Sequence, residues 1–121
     1  YEINIGDWSS DVCSSDLIGG TCRGAAITDI EVCGKTGTAE NPHGKDHSAF
    51  IGFAPYRNPK VAICVYVENG GFGATYGVPI GKLMMEKYLK GEISEENKLL
   101  EETMSNAVVS PNVLSLPNRE L

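Results

Sequence analysis

From Ile27 to Thr38 apolar and other residues alternate, with Ile30, Val32 and Thr36 in phase, until Gly34 and Gly37 interrupt the pattern. A period of two predicts a strand, and the glycines predict one whose backbone is approached closely. Asn41-Pro42-His43-Gly44 is turn chemistry. His47 to Pro55 and Lys60 to Glu68 predict two further strands, connected through Pro55 and Asn58-Pro59. The second contains the continuous apolar run VAICVYV, which predicts a central strand covered on both faces. Together the three segments predict an antiparallel three-strand meander.

After Asn69-Gly70-Gly71-Phe72-Gly73 the period lengthens. Val78 to Leu89 predicts a helix with Ile80, Leu83, Met84, Lys87 and Tyr88 near one face, Pro79 in its first turn and Lys90-Gly91 as its stop. Met84 and Met85 are expected to pack. Ser94-Glu95-Glu96-Asn97 predicts the cap of a second helix through about Val109, after which Pro111 and Pro117 break any regular pattern. This last stretch is expected to be peripheral. Strands followed by helix make an α+β class, and no internal repeat is visible.

Composition changes the picture at the N-terminus. Asp7 to Leu17 reads DWSSDVCSSDL, the translation of a common short-read sequencing adapter, and Tyr1-Glu2-Ile3 fits the bases upstream of it. Residues 1–17 are therefore expected to be an artefact outside the fold, with 18–90 as the folded part and 91–121 as an acidic tail with room for a helix. The formal net charge of −6 includes four acids in that first segment, Glu2, Asp7, Asp11 and Asp16, and no base, so residues 18–121 carry −2. Of these, 18–90 has eight bases and six acids, net +2, and 91–121 has two bases and six acids, net −4. Neither part is basic enough for a nucleic-acid footprint. Setting the segment aside leaves Cys22, Cys33 and Cys64. Three cysteines cannot all pair, and none sits in a CxxC or Cys/His zinc spacing, so no disulfide framework, structural metal or cofactor is expected. Cys64, within the apolar run, is expected to be small and buried. No apolar run approaches the ~20 residues of a membrane span.

The chemistry lies in Lys35-Thr36-Gly37-Thr38, where a cation, two hydroxyls and a glycine on one strand make a cradle for a carboxylate and an oxyanion. In its setting, EVCGKTGTAENPHGKDHSAFIGFAP followed by VAICVYVENGG and a helix, it resembles the class B penicillin-binding proteins, serine acyl-transfer enzymes that β-lactams poison. Glu68-Asn69-Gly70-Gly71 is similar to the elongation-type peptidoglycan D,D-transpeptidases among them, the penicillin-binding protein 2 type. The resemblance runs from about Gly19 to Ile93 and is strongest from Ile30 to Gly71. It implies the C-terminal part of a penicillin-binding/β-lactamase-like transpeptidase fold, belonging to a longer enzyme. That parent would be anchored in the inner membrane by a helix absent here, hold its catalytic domain in the periplasm, and work beside membrane-bound cell-elongation proteins. Catalytic roles fall by resemblance on Lys35 and Thr38. The Thr38 N–H would be one oxyanion donor, and Lys35 would hold the terminal carboxylate of a D-Ala-D-Ala stem peptide or a β-lactam and polarise a serine of an SxN motif. Substrate binding falls on Thr36, Gly37 and Thr38: the two hydroxyls would bind that carboxylate, and Gly37 would leave the strand edge clear.

The nucleophile is missing from this pattern. No Ser-x-x-Lys occurs, and Ser110-Pro111-Asn112, which spells S-x-N, follows the Lys-Thr-Gly element although the family places its own well before. The chain alone is expected to be inactive. Two function classes stay open: a piece of a D,D-transpeptidase, or a binding module of the same fold serving as a β-lactam sensor or non-catalytic cell-wall scaffold. Nor do these residues separate a transpeptidase from a D,D-carboxypeptidase. Gly34-Lys35-Thr36 does not make a phosphate loop, because position 29 is Asp where that motif needs glycine and no helix follows. His43, Asp46 and His47 are metal-ligand types, but their spacing on a turn matches no strong signature, and a polar loop at the cleft mouth is expected. Tyr56 and Arg57 are expected in an exposed turn, and Glu68 and Asn69 in structural roles.

Overall fold

The computed structural model describes residues 22–109. Residues 1–21 and 110–121, which include the segment set aside and Ser110-Pro111-Asn112, lie outside the described residues. Three strands, β1 (Cys33–Ala39), β2 (His47–Ala54) and β3 (Val61–Val67), form an antiparallel sheet in the order β1-β2-β3. The expected α+β meander is what forms, but β2 is its middle strand and β3 lies at an edge among the described residues. Lys35 pairs with Ile51, and Ile51 with Cys64, so one row of side chains runs across the outer face. On that face Ala62, Cys64 and Tyr66 of β3 are exposed. The expectation of a β3 covered on both faces, with Cys64 buried, therefore fails: among the described residues its apolar run has a helix on one face only.

The inner face follows from the period of two in β2, where Ser48, Phe50, Gly52 and Ala54 are buried. Phe50 is the centre of the core. A Cβ added at Gly34, Gly52 or Gly81 would come within 2.4, 2.8 or 2.5 Å of its ring, and one at Gly77 within 3.0 Å of its Cβ. Glycines from two strands and a helix thus make the room that one aromatic side chain fills.

Helix α1 (Gly77–Lys90) lies across β2 and β3. It ends where Gly91 adopts a left-handed φ of 81° and its N–H returns to the Lys87 carbonyl, the glycine stop expected from sequence. Its buried positions are Gly77, Val78, Gly81, Leu83, Met85 and Glu86, whereas Met84 and Tyr88 are exposed. Of the sequence-based face, Ile80 packs against the core and Leu83 is buried, but Met84, Lys87 and Tyr88 are not; the helix also meets the sheet through two glycines that a pattern of apolar side chains passes over. Leu83, Met84, Lys87 and Tyr88 instead border an open groove of 420 Å³ with Ile93 and Glu101.

The first strand begins later than expected. Residues 27–30 turn back on themselves, with the Ile30 amide bonded to the Ile27 carbonyl and Asp29 at φ 66°, before β1 starts at Cys33. The last stretch is not peripheral at its start. A 3-10 turn at Glu95–Asn97 leads into α2 (Lys98–Ser105), which stops short of Val109. Ser94 does not cap that helix. Its hydroxyl donates to Glu86 Oε1 at 2.7 Å, and Asn97 Nδ2 donates to Glu86 Oε2 at 2.9 Å. Burial pushes the Glu86 carboxyl up, but the hydrogen bonds from Ser94 and Asn97 and the Lys90 ammonium at 3.7 Å outweigh it and hold the group below its ordinary range. Thr28 donates to Glu96 Oε1 at 2.7 Å, fastening the 3-10 turn to the segment before β1.

Candidate functional site

Strand β1 is an edge of the sheet, paired to β2 on one side and open on the other among the described residues. Side chains alternate along it. Lys35 and Gly37 project to the outer face with Ala49 and Ile51, whereas Thr36 and Thr38 share the inner face with Ser48 and Phe50. The four residues of the cradle do not converge on one face but flank the open edge from both. A ligand lying along that edge would meet the ammonium from one side and the hydroxyls from the other. The Lys35 ammonium donates to the Thr36 carbonyl at 3.2 Å. Backbone groups two residues apart on a strand point the same way, so the Thr36 carbonyl and the Thr38 amide lie along the same edge of β1.

Glycine serves two purposes here. Gly34 is required by packing, since a Cβ would strike the Phe50 ring. Gly37 is not: its added Cβ would meet only the Ala49 Cβ at 3.6 Å, an ordinary contact. The room above it belongs to an open depression of 230 Å³ bordered by Lys35, Thr36, Ala49 and Ile51.

The inner side of the same strand is covered by the loop 69–76. Gly73 lies so close that a Cβ would come within 2.5 Å of the Ala49 carbonyl oxygen, 2.7 Å of the Gly37 carbonyl oxygen and 2.9 Å of Thr36 Cβ. A polar network pins this loop to the turn between β1 and β2. The Asn69 N–H donates to His47 Nδ1 at 2.9 Å, Asn41 Nδ2 donates to Asn69 Oδ1 at 3.0 Å, and the Gly71 N–H donates to the Asp46 carbonyl at 2.8 Å. Asp46 Oδ1 accepts the Asn41 N–H at 3.1 Å. Ser48, wholly buried, donates to the Phe72 carbonyl at 2.9 Å and accepts the Gly77 N–H at 3.1 Å, tying the loop to the start of α1. The Phe72 side chain stands in solvent, 72 % exposed.

Asp46 and His47 are thus occupied in the loop network, and among the described residues no three of His, Cys, Asp and Glu come together as a metal site. Asn41 and Ser48 were not among the expected site residues. A serine on the core-facing side of a strand signals a buried hydrogen bond, because a hydroxyl there needs a partner. For Asn41 no comparable signal points to Asn69, which lies 28 residues away.

The comparisons bear on the fold and the family. Peptidoglycan D,D-transpeptidase PbpA of Mycobacterium tuberculosis is 42 % identical over 78 residues, covering 55 % of this chain and 16 % of its own length. Peptidoglycan D,D-transpeptidase MrdA of Haemophilus influenzae is 34 % identical over 95 residues, covering 65 % of this chain and 15 % of its own. The chain thus spans about one sixth of the length of these relatives. In structure it is similar to penicillin-binding protein A from M. tuberculosis, solved as a ceftriaxone acyl-enzyme complex, with TM-score 0.52 and 38 % identity over 55 % of this chain and 17 % of that one. The D,D-transpeptidase domain of a peptidoglycan glycosyltransferase from Eggerthella lenta gives TM-score 0.51 and 35 % identity, over 64 % of this chain and 18 % of that one. The family described as the penicillin binding protein transpeptidase domain matches residues 11–86, a span whose start falls within the segment set aside as adapter. With its three-strand meander, its Lys-Thr-Gly edge strand and a match over more than half its length, the chain belongs to the penicillin binding protein transpeptidase domain family.

Proposed function

We propose that residues 22–109 form the oxyanion side of the active site of a serine peptidoglycan D,D-transpeptidase, the rest of which lies outside these residues. One observation supports the reading: Lys35 and Gly37 share the outer face of a strand that is open at one edge among the described residues, and they border a depression of 230 Å³ where a Cβ at Gly37 would make only an ordinary contact. A stem peptide laid along that edge would pair with its backbone by strand addition. Lys35 would hold the terminal carboxylate of D-Ala-D-Ala, with Thr36 and Thr38 reaching it from the inner side. The Thr38 N–H would donate to the oxygen that becomes negative as the acylating serine attacks, an interaction worth about 10²- to 10³-fold in such sites. β-Lactams would occupy the same edge, as ceftriaxone acylates the M. tuberculosis relative.

The same reading makes this chain alone inactive, since it holds no Ser-x-x-Lys. It places the parent on the periplasmic side of an inner membrane, tethered by an anchor and beside other cell-elongation proteins. Among the described residues no helix is long and apolar enough to cross a membrane. Fluorescent penicillin followed by mass spectrometry tests the proposal. A complete protein bearing this sequence is expected to form one acyl adduct, and the 121-residue chain none. An adduct on Ser48, Ser94 or Ser105 of the short chain, faster than on denatured protein, would show that the site has been misplaced.

A further inference from the structure

We propose that His47 is a positioning residue for the Lys35–Thr38 strand, acting through the hydrogen bond that its Nδ1 accepts from the Asn69 amide. This inference rests on the acyl-site reading above and adds to it what holds the strand's inner side in place. Asn69 sits at φ 58°, a left-handed conformation that asparagine tolerates better than most residues but that still needs support. The support comes from both ends of the residue, its N–H to His47 Nδ1 and its Oδ1 to Asn41 Nδ2. The next two residues are held as well, the Gly70 N–H by the Val67 carbonyl at 3.1 Å and the Gly71 N–H by the Asp46 carbonyl at 2.8 Å.

Fixing the loop at Asn69 fixes what it touches. Two residues beyond Gly71, the backbone of Gly73 lies against the carbonyls of Ala49 and Gly37 and against Thr36, with no space for even a Cβ. A shift of the loop is therefore transmitted to the strand, since close-packed backbone has no slack to absorb it. Ser48 holds the far end of the loop and His47 the near end, and the two are adjacent on β2. The imidazole is itself oriented by Tyr66, whose ring lies 5.5 Å away at 37°. Accepting at Nδ1 leaves the ring proton to Nε2, so the role proposed for His47 is that of an acceptor that positions the loop.

Acceptor and bulk can be separated by substitution in a complete transpeptidase bearing this sequence. His47→Leu keeps apolar bulk against Tyr66 and has no acceptor. His47→Asn places a short side-chain acceptor near the Nδ1 position and has no ring. Acylation by fluorescent penicillin is resolved into a binding constant and a first-order acylation constant, with Tm measured beside them. His47→Leu is expected to lower the first-order constant by about 10-fold or more, the scale of a small misplacement near reacting groups. His47→Asn is expected to recover to within about 3-fold of wild type, because the hydrogen bond is restored. Wild-type acylation in the Leu variant overturns the proposal. So does an Asn variant as slow as Leu, which would mean that ring packing matters and the acceptor does not. Should His47→Leu fail to fold, Asn41→Ala removes the other support of Asn69 and is expected to slow acylation by about 3-fold or more. A wild-type rate there overturns the proposal too. An unsubstituted enzyme that penicillin does not acylate removes the acyl-site reading and this one with it, whereas normal acylation with indifferent variants removes only the role of His47.

Discussion

At the scale of single residues, several glycines are required by packing and Gly37 is not. Gly34, Gly52, Gly77 and Gly81 give up their side chains to Phe50, and Gly73 gives up its own to the backbone of β1 and β2. Gly81 offers a test because two effects oppose each other there. Alanine is favoured over glycine in a helix interior by about 1 kcal/mol, but its Cβ would lie 2.5 Å from Phe50 Cδ1. The ring cannot retreat, since Gly34 and Gly52 face it from the strands. Overpacking of this kind costs about 1–3 kcal/mol, so Gly81→Ala is expected to destabilise despite its helix propensity. Thermal unfolding of a complete enzyme carrying the substitution decides it: a lowered Tm is expected, and a raised one would mean that Phe50 has room to move.

At the scale of elements, Glu86 joins α1 to the segment after it. Its carboxyl is held below the ordinary range in the folded state, so between its folded value and the ordinary one of about 4.3 the unfolded chain binds a proton that the folded chain does not. Stability therefore rises with pH through that window. The contribution is complete above the ordinary value and is lost as pH falls through the folded one. Glu86→Gln is expected to cost about 1.5–3 kcal/mol at neutral pH, the worth of hydrogen bonds to a charged group, with the gap to wild type narrowing in acid. A gap that stays constant down to acid pH would contradict the assignment. Sequence alone made the strands and the end of α1 legible, because alternation from Ser48 to Ala54 and a glycine after Lys90 are local signals. It mistook the face of α1 for a physical reason: the helix touches the sheet through Gly77 and Gly81 as well as Val78 and Met85, and the glycines leave gaps in the apolar stripe that a period of 3.6 would reveal. β3 misled in the opposite sense, since an apolar run does not reveal which strand is flanked on both sides.

At the scale of the whole molecule, β1 is open at one edge and the sheet carries a helix on one face among the described residues. The Lys-Thr-Gly element was legible as part of a strand because its residues are contiguous, whereas the network beside it was not, because Asn41, His47 and Asn69 meet only once the sheet has formed. The central claim is that the Lys35 cation acts locally at an acyl site and not through the charge of the molecule. Lys45, ten residues on in the turn after β1, carries the same charge away from the depression and provides the comparison. The decisive measurement is the second-order rate of β-lactam acylation in a complete enzyme bearing this sequence, for Lys35→Ala and Lys45→Ala side by side. Lys35→Ala is expected to lower it by about 10²-fold or more, on the order of one lost oxyanion-type donor, and Lys45→Ala to leave it nearly unchanged. Equal losses for the two would contradict the account.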